Sequence, residues 1–66
     1  MKIFVNGEGH ECESGSTVED LVRRHGLSPE ATLVERNGTA LRRRDWTDRE
    51  LRENDRIEVL QVAAGG

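Results

Sequence analysis

Ala63-Ala64-Gly65-Gly66 closes the 66-residue sequence, and its residue types point most directly to chemistry. The reactive group it presents is the Gly66 carboxylate, carried by residues with almost no side chain. Glycine has no Cβ and tolerates backbone angles closed to other residues, so Gly65-Gly66 can pass through a channel too narrow for side chains. Four extended residues reach at most roughly 13–14 Å, enough to carry a carboxylate clear of a folded body. Just upstream, Ile57-Glu58-Val59-Leu60-Gln61-Val62 is apolar and β-branched and reads as a strand. A strand running into a thin, bare tail suits a terminus that threads into another protein. Small residues at a terminus are also common in plain frayed ends. The tail's meaning therefore depends on the rest of the chain.

The other chemistry-bearing groups point to simpler roles. His10 and Cys12 stand two apart on a strand-like stretch and project to one face. Two ligands are too few for a closed zinc site, and neither His25 nor a second Cys offers finger-like spacing. A Cys–His catalytic pair would need an orienting group and an oxyanion site, and neither is recognisable. A small buried Cys beside an exposed His is the simpler account. Arg42-Arg43-Arg44 reads as a solvated turn balanced by Asp45, Asp48 and Glu50, with a partner contact as the alternative. Trp46 has no second aromatic nearby, so it reads as a cap on the edge of the core and not as a stacking platform. No Gly-rich loop opens a helix to cradle phosphate.

Composition narrows the function classes. Only a third of the residues are apolar, and 66 residues lie near the lower limit for folding without disulfides or metal. The core is therefore small, a single sheet layer against one helix. Ten basic against thirteen acidic side chains give a net charge of −3, which argues against nucleic acid and anionic membranes. No apolar run approaches the ~20 residues needed to span a bilayer. Met1-Lys2 leads into a short strand-like run, so no signal peptide is expected. The single Cys12 has no disulfide partner within the chain and fits a reducing cytoplasm.

The elements that must position the tail follow from periodicity. Met1 to Asn6 alternates at period two, with Met1, Ile3 and Val5 on one face. Asn6-Gly7-Glu8-Gly9 is a turn, and His10 to Glu13 returns as a second hairpin arm. Ser16 and Glu19 form a capping-box pair before a helix of about ten residues. Its apolar stripe is Val18, Leu21, Val22 and His25, with His25 as a partly buried end. Gly26 supplies a left-handed stop, and Ser28-Pro29 forbids continuation. Thr32 to Arg36 is a strand ending in the Asn37-Gly38 turn, with Thr39-Ala40-Leu41 beyond it. Residues 42–55 form a turn or short helix before the last strand. The expected core is Ile3, Val5, Val18, Leu21, Val22, Ile57 and Val59. The expected fold is α+β, a β-grasp in which one helix crosses a mixed four- to five-stranded sheet and the first and last strands pair in parallel. Residues 1–62 make the domain and 63–66 the tail.

These features, taken in order, resemble the ThiS-type sulfur carrier proteins of thiamine (thiazole) biosynthesis, which are ubiquitin-like β-grasp proteins. The resemblance runs the whole length. It rests on Met1, Ile3 and Asn6, on Thr17-Val18 leading into Leu21-Val22, and on Arg43 with Trp46. It continues through Asp55 to Ile57 and the ending Gln61 to Gly66. The run Arg42-Arg43-Arg44 departs from the family, which often has Pro before the Arg.

What the resemblance implies is a carrier, not a catalyst. A carboxylate is a poor electrophile, so a ubiquitin-activating (E1-like, ThiF-type) enzyme is implied, using ATP to make an acyl-adenylate at Gly66. A persulfide sulfur from a cysteine desulfurase would then leave Gly66 as a thiocarboxylate for thiazole synthase (ThiG type). No cofactor is expected on the chain itself. Alternatives are a related carrier for molybdopterin, cysteine or tRNA thiolation, or a ubiquitin-like modifier or interaction module. The shortness of the chain favours the thiazole branch; a plain module would tolerate residues after Gly66. Period two puts Phe4, Leu60 and Val62 opposite the helix-facing residues. An apolar cluster on an uncovered sheet face marks a binding site. Phe4, Leu60 and Val62 are therefore the expected docking patch for both enzymes, with Ala63, Ala64 and Gly65 threading Gly66 into their active sites.

Overall fold

Local backbone chemistry accounts for most of the element boundaries in the computed structural model, which describes residues 1–62. The chain forms β1 (Lys2–Val5), β2 (Glu8–Glu11), α1 (Val18–Arg24), β3 (Thr32–Arg36), β4 (Thr39–Leu41) and β5 (Arg56–Gln61). Short 3-10 turns occupy Pro29–Ala31 and Arg43–Trp46. Both hairpins close on Asn-Gly pairs. Asn6 and Gly7 have φ of 50° and 86°, and Asn37 and Gly38 have 51° and 86°. Two successive positive φ values match the right-handed twist of the flanking strands. The first turn is thus two residues rather than four, and β2 begins at Glu8, two residues before the expected His10.

The sheet order is β2-β1-β5-β3-β4, with β1 and β5 parallel at the centre and the outer pairings antiparallel. This is the expected β-grasp arrangement. Asn6 extends the short parallel ladder with its side chain. Its amide donates to the Val59 carbonyl (3.2 Å) and accepts from the Val59 N–H (2.8 Å).

Helix α1 starts one residue later than the Ser16/Glu19 expectation and is seven residues long, not ten. The capping box is Thr17 with Asp20: the Asp20 N–H donates to Thr17 Oγ1, and the Thr17 N–H donates to Asp20 Oδ2 at 2.9 Å. Ser16 is engaged elsewhere, since its carbonyl accepts from Leu51 N–H and Thr17 bridges Glu50. The helix ends in a Schellman motif. Leu27 N–H bonds Val22 O, Gly26 N–H bonds Arg23 O, and Gly26 takes φ of 67°. His25, expected as a partly buried stripe residue, is the exposed C-cap, its ring edge-on to His10 at 5.2 Å.

The core lies between α1 and one sheet face. Ile3, Val5, Val18, Leu21, Val22 and Ile57 are buried as expected, and Val59 packs against them partly covered. Val34, Trp46 and Leu51 join them, and Cys12 is buried as a free thiol whose pKa burial pushes up. Trp46 is 2% exposed and belongs to the core rather than capping its edge. Its indole N–H has no partner, and the Arg43 guanidinium stacks 4.6 Å from its ring. Arg43 also pairs with Glu19 of α1 at 3.0 Å, not with the neighbouring acids that composition suggested. Among the described residues no helix is long and apolar enough to cross a membrane.

Candidate functional site

The strand that leads to the tail is held on both sides where it begins and on the β3 side to its end. β5 pairs with β1 over Arg56 and Ile57 and with β3 from Ile57 to Gln61. Beyond it, Val62 N–H donates to Ala31 O at 2.6 Å, so the sheet grips the chain up to the last described residue. Ala63, Ala64, Gly65 and Gly66, the expected threading and sulfur-carrying positions, lie outside the described residues.

The start of β5 is fixed by a polar cluster around one buried carboxylate, Asp55. Asp55 is 6% exposed; its carboxylate accepts from Arg52 N–H (2.8 Å) and the Asn37 amide (3.0 Å) and pairs with Arg36 (2.8 Å). Burial pushes this carboxyl up. The Arg52 N–H, the Asn37 amide and the Arg36 charge together outweigh that push and hold it below the usual carboxylate range. Asn37 also accepts from Arg56 N–H (2.9 Å), which ties the β3–β4 turn to the first residue of β5.

Alternation then decides what the uncovered face carries. Ile57 and Val59 turn toward the helix, so Arg56, Glu58, Leu60 and Val62 face away from it. Leu60 and Val62 are 62% and 48% exposed. The register separates the expected trio. Phe4 pairs with Arg56, four residues from Leu60 along β5, or roughly 13 Å at strand rise. Phe4 is half-buried, with the Lys2 ammonium 5.4 Å from its ring centre. The residue that does meet Leu60 is Leu33, its direct partner on β3 and 58% exposed. The sequence reading missed Leu33, although it alternates with Val34, whose β-branched side chain belongs in the core. Leu33, Leu60 and Val62 thus form an exposed apolar step where β5 hands over to the tail, and Phe4 lies on the same face further down.

The described residues offer little for cofactor chemistry. They contain no cluster of three or more His, Cys, Asp or Glu placed to hold a metal. His10 and Cys12 do not converge on a common site: His10 sits half-buried against His25, and Cys12 lies in the core.

Comparison with known proteins agrees with this geometry. The profile of the ThiS family matches residues 3–66. The sulfur carrier protein ThiS of Escherichia coli is 27% identical over 66 residues, the full length of both chains. A thiazole synthase from Magnetococcus marinus is 42% identical over all 66 residues, and this chain spans only 20% of its length. The crystal structure of the thiamine biosynthesis protein ThiS from Geobacter metallireducens superposes with a TM-score of 0.81 at 28% identity, covering both chains fully. A profile match over nearly the whole chain, carried by a β-grasp sheet whose central strand leads into Ala-Ala-Gly-Gly, places this chain in the ThiS family.

Proposed function

We propose that the chain is a sulfur carrier for thiazole formation in thiamine biosynthesis, with Gly66 as the sulfur-bearing residue. The observation that carries the reading is the match to the ThiS family through Gly66, together with full-length similarity to a sulfur carrier protein. In this scheme an E1-like, ThiF-type enzyme joins the Gly66 carboxylate to AMP from ATP and releases pyrophosphate. The terminal sulfur of a persulfide, supplied through a cysteine desulfurase, attacks the acyl carbon and expels AMP. A thiol then takes the other sulfur of the S–S bond and leaves the thiocarboxylate. The chain itself acts as cosubstrate: ATP stays with the activating enzyme, and the only group it carries is covalent. A reducing cytoplasm suits both the thiocarboxylate and the free Cys12.

Thiazole synthase (ThiG type) is the proposed acceptor. It is supported by the chain of that name in which a stretch like this one makes up a fifth of the length. The body through Val62 is the docking unit, Ala63, Ala64 and Gly65 form the thread, and Leu60 and Val62, with Leu33 beside them and Phe4 further along the face, form the contact surface. Intact mass spectrometry tests the proposal. After incubation with the activating enzyme, ATP and a sulfur donor, the chain should gain the mass difference between sulfur and oxygen at Gly66. An unchanged mass with an activating enzyme that converts its own known carrier would reject it.

A further inference from the structure

Next to the Leu33–Leu60 step the uncovered face carries two carboxylates directly across from each other. Glu35 of β3 pairs in register with Glu58 of β5, and both are exposed. Directly opposed side chains have Cβ atoms about 5 Å apart, and like charges there destabilise a sheet. Neither carboxylate takes part in an ion pair among the described residues, although Arg56 is the next outward residue on β5. Leu33, Glu35, Glu58 and Leu60 line one groove of about 880 Å³, with Arg56 at its Asn37-Gly38 end. The free protein therefore holds two opposed carboxylates with no direct ion-pair partner among the described residues, beside an exposed apolar pair on the face that carries Val62.

We infer that this groove receives a protein partner that places an arginine between Glu35 and Glu58 while an apolar side chain of the same surface covers Leu33 and Leu60. The inference rests on the carrier reading for the identity of the partners, and it adds what selects them. A guanidinium is the fitting cation, because its planar fork of donors can bond two carboxylates at once, where an ammonium is a point charge. The arginine removes the repulsion that the free sheet tolerates, and a surface lacking it leaves two carboxylates desolvated without a counter-charge. The apolar step contributes burial; the acidic pair contributes discrimination.

Calorimetry with the cognate adenylating enzyme and the cognate thiazole synthase, each alone, tests this on wild type, the Glu35→Gln/Glu58→Gln double variant and Leu60→Asp. The double variant should bind at least one of the two enzymes tenfold or more weakly at low salt, with the gap closing at high salt. In the free state it should melt above wild type, because the opposed charges are gone. Binding of both enzymes at wild-type affinity, or a lower melting temperature, would overturn the inference. Loss of the carrier reading looks different: wild type itself would then gain no sulfur from the adenylating enzyme, ATP and a sulfur donor.

Discussion

At the scale of single residues, buried polar chemistry governs where β5 begins. Asp55 sits among Arg36, Asn37 and Arg52 with three directed contacts of 3.0 Å or less. Removing one member of a buried ion pair leaves the other uncompensated, so Asp55→Asn should cost about 3 kcal/mol at neutral pH. The native carboxyl lies below its unfolded value, so its contribution is complete above the ordinary carboxylate pKa of about 4. It is lost as the pH falls through the lower folded-state value. Denaturant melts of both proteins from pH 7 downward should show their stability difference shrinking only below about pH 4. A constant difference across that range would mean that Asp55 acts through shape and not charge. The Thr17–Asp20 capping box is a smaller effect of the same kind. Thr17→Ala should cost about 1 kcal/mol, the usual value for a lost N-cap.

At the scale of elements, a seven-residue helix has little stability of its own and exists because its apolar stripe is buried. Leu21 is 6% exposed within that stripe. Leu21→Ala should cost roughly 2–5 kcal/mol, a large share of the stability of so small a domain. Buried Trp46 is the chain's single tryptophan, so its fluorescence in denaturant reads the loss directly. A cost under about 0.5 kcal/mol would place Leu21 outside the core, since that is the range of surface changes. The parallel ladder depends on another element-scale device, the Asn6 amide spanning the Val59 peptide. Asn6→Gly keeps the positive φ of the turn, removes the side chain with its amide, and makes the unfolded backbone more flexible. It should cost about 1 kcal/mol and speed hydrogen exchange of the Val59 N–H.

At the scale of the whole molecule, the sheet is a platform that delivers the chain to Val62, from which the proposed carrier tail continues. The ladder and the Val62–Ala31 hydrogen bond carry the chain to the edge of the body, beside the exposed Leu33, Leu60 and Val62 that form the proposed docking face. Gly65→Val, or deletion of Gly66, should therefore abolish ATP–pyrophosphate exchange by the activating enzyme while leaving the Trp46 melt unchanged. Normal exchange by either variant would sink the carrier reading. Leu60→Asp should weaken binding of the activating enzyme at least tenfold, about 1.4 kcal/mol, with the fold intact. Because one face serves both enzymes in this scheme, the activating enzyme and thiazole synthase should compete for the chain. A ternary complex in sedimentation would contradict a shared face.

The sequence by itself determined the features that depend on a few neighbouring residues. Asn6-Gly7 and Asn37-Gly38 specify tight turns because only such residues enter left-handed φ cheaply. Gly26 specifies a helix end for the same reason, and alternation in β1 and β5 separates core face from open face. The order of these local signals also carried the family resemblance and with it the β-grasp fold. Tertiary structure decided what depends on residues far apart in the chain. The β1–β5 register, set across some fifty residues, put Phe4 beside Arg56, and the β3–β5 register brought Leu33 to Leu60. The pairing of Ser16 and Thr17 with Glu50 and Leu51 moved the helix cap from Ser16 to Thr17. Packing drew Trp46 wholly into the core and gathered Arg36, Asn37 and Arg52 around Asp55. Local sterics and period are written within a window of a few residues. Register and burial arise when distant segments compete for the same core, and no short window contains that competition.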